Sequence, residues 1–442
     1  MKLGMDDPVE GWDSLDRVLE TGALHSLFQP IVELDTNRVV AYEALARGPE
    51  GPLHSPVALF AAARKRGRLS ELDLRCRCAA LEGAVAQHLL APLTVFVNVE
   101  PEVLDVAPLA DLVDFAAGAP GELRVVIEIT ERALASRPAE LLRTIGQVRD
   151  LGWGVALDDV GAEAASLAFM PLLRPDVVKL DLRLVQERPG SAAAQIMNAV
   201  NAYAEESGAL VLAEGIEDEA HLRLARALGA TLGQGWLFGR PAPGAAPSFT
   251  IGELTLPDST FAADRHPGGS PFACLPPAVL LRRSPKSLLI EISKQLEREA
   301  ARLGETCVVA AAFQEARHFT RSTQRRYQQL VGRTSFVCAL GEGMPEEPVP
   351  GLRGATLAPG DPVRGEWDLV VLGPHFAAAL LARDLGAPAP DGDRLFEYAL
   401  TYRRDTVVRA AAALLSRVAP RALPTSLSGG SRHRGGRYSL TG

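Results

Sequence analysis

Between residues 25 and 238 short apolar runs alternate with helical stretches, and this alternation constrains the fold more than any other feature. The runs are LFQPIVEL, RVVAYEALAR, TVFVNVE, LRVVIEIT, WGVALDD, DVVKLDL, ALVLAEG and GQGWLF. From the third onward they are continuous and β-branched, as strands are when both faces of a parallel sheet are buried. About eight strands with intervening helices, one near residues 55–90 and another at 137–150, fit a (β/α)₈ barrel better than an open sheet. Only DTNR separates the first two runs, a hairpin-sized connection, so one strand is expected to run antiparallel.

A stretch rich in Pro, Gly, Ala and Ser reads as a linker. A smaller α/β module follows, with helix SLLIEISKQLEREAARLG, strand TCVVAAAFQ, helix STQRRYQQLV, strands SFVCALG and WDLVVLG, and a long helix near 393–417. The expected layout is a lead-in helix over 1–24, a barrel over 25–243, a linker over 244–275, a second domain over 276–418 and a low-complexity tail over 419–442.

Charge and cysteine usage narrow the function classes. A net charge of −8 argues against a nucleic-acid groove driven by bulk charge. The five cysteines are scattered without metal-ligand spacing, which suits reduced thiols in a cytoplasm. There is neither a signal-peptide pattern nor an apolar run of about 18 residues, so a soluble cytoplasmic chain is expected.

The chemistry sits at the strand ends. Glu43, Asn98, Glu128, Asp158, Asp159, Lys179, Glu214 and Gln234 each interrupt or end one of the runs. Any one alone is most simply a satisfied polar group. In a parallel barrel, however, every C-terminal strand end meets at one rim. Converging carboxylates need a cation, and an all-oxygen donor set suits Mg²⁺ or Mn²⁺. Of 46 lysines and arginines only five are lysines, so Lys179 inside an apolar strand suggests a role for a compact ammonium that arginine cannot fill. Asparagine is equally sparse, and Asn98 reads as buried within its strand.

YEALAR, with FQPIV, FVNVEP, IEITE, LDD, VKLD, AEGIE and GQGWLFGRP in order, resembles the EAL family of cyclic di-GMP phosphodiesterases over residues 25–243. The resemblance implies a TIM-like barrel with an antiparallel first strand, and hydrolysis of cyclic di-GMP to linear 5′-pGpG with two Mg²⁺ or Mn²⁺ ions. It assigns Glu43, Asn98, Glu128 and Asp158 to the first ion, and Asp159, with Asp158 bridging, to the second. Lys179 would orient the attacking water, and Glu214 would be general base or further ligand. Gln29, Arg47 and Gln234 would contact the dinucleotide or its water network, Arg47 through phosphate. Glu131 and Glu217 would be supporting residues, Glu131 anchoring the loop after Asp159.

Family members follow the two aspartates with Phe-Gly and a Gly-Tyr-Ser run, whereas this chain reads VGAEAAS. That loop lies at the family's dimer contact, so a homodimer through the barrel is one expectation, and a weakly held second ion another. The alternative reading is a weak or inactive cyclic di-GMP receptor or signalling scaffold. The second module resembles the DICT sensory domain through FQEARHFTRSTQRRYQQL, APGDPVRGEWDLVVLGPHFAAALLARDLG and FEYALTYRRDTVVRAA. Its ligand or partner is not legible. His318, Arg317 and Trp367 are candidate pocket residues there, each more simply read as structural.

Overall fold

In the computed structural model, the described residues are 13–103, 110–130, 135–162, 165–188, 190–245, 249–257, 269–386 and 390–420. Eight strands close a barrel in sequence order: β1 (His25–Glu33), β2 (Arg38–Arg47), β3 (Thr94–Asn98), β4 (Arg124–Thr130), β5 (Gly154–Val160), β6 (Val177–Leu180), β7 (Leu210–Ala213) and β8 (Leu232–Gln234). β1 is antiparallel to both β2 and β8, and all other neighbours are parallel. The β1–β2 hairpin turns through Asn37 at φ 55°, a left-handed position that asparagine tolerates. The helical stretch near 55–90 is two helices, Pro56–Arg66 and Leu69–Ala86, broken at Gly67 with φ 67°.

Ile31, Val40, Phe96, Val126, Ala156, Val177, Leu212 and Leu232 fill the barrel interior, and Leu254 joins them. This amends the linker. Residues 249–257 run along the barrel, with the Val39 N–H donating to the Thr250 carbonyl, the Gly252 N–H donating to the Val39 carbonyl, and Arg124 holding the Leu254 carbonyl at 2.8 Å. The segment ELTLP, amid Pro and Gly, looks like a spacer, yet its Leu254 buries itself in the barrel core and Leu256 packs against it.

The second domain is a seven-stranded sheet ordered β12-β11-β10-β13-β14-β15-β9. Its strands are β9 (Arg282–Pro285), β10 (Val308–Glu315), β11 (Phe336–Glu342), β12 (Arg353–Thr356), β13 (Glu366–Leu372), β14 (Ala377–Asp384) and β15 (Leu395–Thr401). Alternation along β10 splits its residues between two cores. Val309 and Ala311 face helices Lys286–Leu303 and Arg321–Val331, whereas Val308, Ala310 and Ala312 face helix Arg404–Leu415 and the barrel. The long helix expected near 393–417 is instead strand β15 followed by that shorter helix.

The two domains share a continuous apolar core. Helix Ala165–Leu173, which follows the Asp158–Asp159 loop, buries Leu167, Ala168, Phe169, Met170, Leu172 and Leu173. Phe169 meets Phe336 of the second domain edge-on at 6.0 Å. The buried Arg353 guanidinium donates to the carbonyls of Ala135 and Ser136 on the barrel side, at 2.6 and 3.3 Å.

On the same face of β13, Asp368 and Glu366 lie buried side by side. Burial, then the charge of Glu366, holds the Asp368 carboxyl well above the ordinary aspartate value. Folding therefore takes up a proton there, and stability from this group falls as pH rises above the ordinary aspartate range. Asp368→Asn is expected to raise the thermal midpoint by on the order of 2–4 °C at pH 8 and by less at pH 5. Equal midpoints of variant and wild type at both pH values, in thermal scans, would contradict this.

Candidate metal and phosphodiester site

The C-terminal strand ends deliver the acids to one mouth. Glu43 on β2 and Glu128 on β4 are buried, Asp158 and Glu214 are half-buried, and Asp159 is exposed. Neighbours in a regular strand point to opposite faces, so Asp158 and Asp159 should diverge. They do not, because β5 breaks register between Leu157 and Val160 and Asp159 takes φ 56°. This bulge re-aims one side chain, a device common beside functional sites. Carboxylate oxygens of Asp158, Asp159 and Glu214 consequently lie within 4.8 Å of one another.

Glu214 is positioned by the loop zipped to it. Ile216 donates to the Gln234 carbonyl and Leu237 to the Ile216 carbonyl, both at 3.0 Å. Gly235, at φ 153°, makes that approach feasible, since a Cβ there would sit 2.2 Å from the Ile216 oxygen. The AEGIE and GQGWLFGRP motifs are thus two sides of one backbone clasp.

Lys179, 1% exposed, stands at the centre of the acids. Its Nζ lies 2.7 Å from Glu128, 2.8 Å from Glu214, 3.1 Å from Asp158 and 3.7 Å from Glu43. Burial opposes the charge of the ammonium, but Asp158, Glu128, Glu214 and Glu43 together hold it well above the ordinary lysine value. One ammonium does not balance five carboxylates. Burial, reinforced by Glu43, lifts Glu128 well above the carboxylate range. Burial pushes Glu214 up to about 8, against the pull of Lys179 and with the help of Asp158. Glu43 goes the other way. Burial resists its ionisation, but Lys179 and the amides of Gln234 and Asn98 outweigh it.

Those amides order the site. Gln234 Nε2 donates to Glu43 Oε2 at 2.6 Å and to Gln29 Oε1 at 3.2 Å, and Gln29 Nε2 donates to the Gly239 carbonyl at 3.0 Å. Gln29 and Glu43 are direct cross-strand partners. Asn98 Nδ2 donates to Glu43 Oε1 at 3.0 Å, which leaves its carbonyl oxygen as an acceptor for a cation. Asn98 is exposed at the end of β3, not buried as its apolar neighbours suggested, because the strand stops at the open mouth. Arg47, half-buried, donates to its neighbour's Ala46 carbonyl; burial lowers its pKa despite the nearby Glu43. Glu217 is exposed on the loop before helix Glu219–Ala227. Glu131, like Glu163 and Ala164 of the altered loop, lies outside the described residues.

The donor set fits hard divalent cations. It is all oxygen, it exceeds its internal counter-charge, and the buried Gln234 Oε1 has no hydrogen-bond partner among the described residues. In the second domain, His318 Nδ1 contacts the Phe313 carbonyl at 3.0 Å, Arg317 pairs with Glu315, and Trp367 packs edge-on against Phe396. Those three are engaged locally. The sequence reading gave no role to Asp73 and Arg77, a buried pair behind β3 whose spacing on helix Leu69–Ala86 was the available signal. No helix among the described residues is long and apolar enough to cross a membrane.

The EAL domain model matches residues 12–241, and the model for the sensory domain in diguanylate cyclases and two-component systems, DICT, matches residues 275–385. The chain is 32% identical over 240 residues to the cyclic di-GMP phosphodiesterase RocR of Pseudomonas aeruginosa, covering 51% of this chain and 59% of RocR. It is also 32% identical over 243 residues to the cyclic di-GMP phosphodiesterase NbdA of the same organism, covering 53% of this chain and 31% of NbdA. The chain thus spans less than two thirds of either relative. Among solved structures, Klebsiella pneumoniae BlrP1 in a calcium and cyclic di-GMP complex aligns at 30% identity and TM-score 0.46, over 50% of this chain and 57% of that one. The barrel, its strand-end acids and the matched model together make this chain a member of the EAL family, with a DICT domain after the barrel.

Proposed function

We propose that the barrel hydrolyses cyclic di-GMP to linear 5′-pGpG in bacterial second-messenger signalling within the cytoplasm, under control of the DICT domain. The observation that carries this reading is the convergence of the Asp158, Asp159 and Glu214 oxygens within 4.8 Å beside buried Glu43 and Glu128. Glu43, Asn98, Glu128 and Asp158 would hold one Mg²⁺ or Mn²⁺, and Asp159 with bridging Asp158 a second. Bound there, such ions would supply charge neutralisation for the phosphodiester and a nucleophile at neutral pH. The remaining work belongs to side chains. Lys179 orients the water that attacks phosphorus and compensates the acids around it. Glu214 would take a proton from that water or serve as a ligand beside Asp158 and Asp159; its grouping with them favours the ligand role. Gln29 and Gln234 order the pocket from the β1–β8 side, and Arg47 offers its guanidinium to a phosphate. Glu217 supports from the neighbouring loop, and Glu131 is assigned to the loop after Asp159.

Control by the DICT domain has a physical route. Helix Ala165–Leu173, which follows Asp159 in the chain, meets Phe336 of the DICT domain through Phe169, and Arg353 of that domain holds the Ala135 and Ser136 carbonyls of the barrel. A homodimer through that helix would require the DICT domain to lift off, because its apolar side chains are already buried within one chain. Arg353→Met keeps bulk but removes the donors to Ala135 and Ser136. It is expected to lower kcat about fivefold or more, in the range typical of coupling between sites. An unchanged rate would place the DICT domain outside control of the barrel.

The test of the function itself is incubation of the full chain with cyclic di-GMP and Mn²⁺ or Mg²⁺, with and without chelator, followed by chromatography. Linear dinucleotide in the metal lanes alone is expected. Tight binding without product would establish the receptor reading instead.

A further inference from the structure

The strand end that carries Asn98 is held from behind by a buried ion pair. Asp73 and Arg77, one turn apart on helix Leu69–Ala86, are 2% and 1% exposed, with Arg77 Nε 2.8 Å from Asp73 Oδ2. The other oxygen, Asp73 Oδ1, accepts the Glu100 N–H at 3.0 Å. Between that anchor and the site, the Val99 N–H binds the Glu128 carbonyl at 3.2 Å, and Asn98 Nδ2 binds Glu43 at 3.0 Å. Residues 98, 99 and 100 are therefore each tied to a different wall. Arg64 adds an outer clamp on the Glu100 carboxylate at 2.5 Å, but it is 37% exposed.

Stability alone does not account for the pair. Taking two charges out of water costs about what their attraction returns, and well-packed apolar residues in their place are often neutral or better. The same helix already buries Leu69, Leu72, Ala80 and Leu81. An apolar pair could fill the space but could not accept the Glu100 N–H from a fixed direction. We propose that Asp73, oriented by Arg77, is a positioning residue that sets the backbone at 98–100 so that Asn98 presents its carbonyl oxygen to a divalent cation. The inference rests on the reading of Asn98 and Glu43 as cation ligands.

Two double variants of the full chain separate positioning from packing. Asp73→Leu with Arg77→Met removes the acceptor, whereas Asp73→Asn with Arg77→Met keeps a neutral oxygen for the Glu100 N–H. Mn²⁺ binding is read from the electron paramagnetic resonance signal of the free ion, and folding from urea unfolding of the same samples. The Leu/Met variant is expected to unfold at a similar midpoint yet bind Mn²⁺ on the order of 10–100-fold more weakly, with the Asn/Met variant within about threefold of wild type. Equal affinity of wild type and the Leu/Met variant overturns the positioning role alone. Should the Leu/Met variant not fold, a loss beyond about tenfold in a folded Asn/Met variant overturns it as well. Wild type that takes up no Mn²⁺ overturns the cation site, and the positioning role with it.

Discussion

Asp158→Ala and Glu43→Ala are each expected to reduce kcat on cyclic di-GMP on the order of 10³-fold, because several kcal/mol of charge stabilisation are lost at about 1.4 kcal/mol per decade. The two substitutions do this differently. Asp158 groups with both Asp159 and Glu214, so its loss opens the shared centre of the cluster. Glu43 accepts from Asn98 and Gln234 and lies 3.7 Å from Lys179, so its loss also leaves two amides without their acceptor. Turnover at matched Mn²⁺ concentrations, on samples checked for folding by circular dichroism, decides the matter. Wild-type-like rates in either variant would remove these carboxylates from the site.

Lys179→Ala is expected to abolish turnover and to destabilise the metal-free protein by about 3–5 kcal/mol, since Glu128 and its neighbours lose their buried counter-charge. The position of Nζ within 3.1 Å of three carboxylates makes this residue their counter-charge, apart from the role toward water proposed for it. A divalent cation should restore much of the lost stability, making the Mn²⁺-induced rise in thermal midpoint larger than in wild type. Turnover should not return. Lys179→Arg should not rescue it either, because a planar guanidinium does not fit where a compact ammonium meets four acids. A variant with wild-type midpoint and cyclic di-GMP turnover would show that the ammonium is dispensable.

The barrel was legible because its strands are β-branched runs buried on both faces, and the site because polar residues interrupt those runs only near their ends. What escaped reading was set by tertiary context. AAALLARD consists largely of helix formers, yet it is strand β14, paired along its length with β13 and β15 in the middle of a sheet. The same context turns LFEYALT into β15 where a continuous helix was expected. The bulge at Asp159 is a backbone event with no signature in side-chain type, and it is what brings the paired aspartates together. ASLAFMPLL is apolar all round, which announces burial but not by what; the second domain supplies the answer. Asp73 and Arg77 are spaced as an ordinary solvated helix pair would be, so only their burial distinguishes them.

The most direct test of the central claim is hydrolysis of cyclic di-GMP by the full chain in ¹⁸O-labelled water with Mn²⁺, followed by mass spectrometry of the product. Water attack at phosphorus predicts linear 5′-pGpG with one ¹⁸O in its terminal phosphate, formed on the order of 10³-fold more slowly by Asp158→Ala. Unchanged cyclic di-GMP after prolonged incubation of folded, metal-loaded protein, or a linear product without the label, would contradict it.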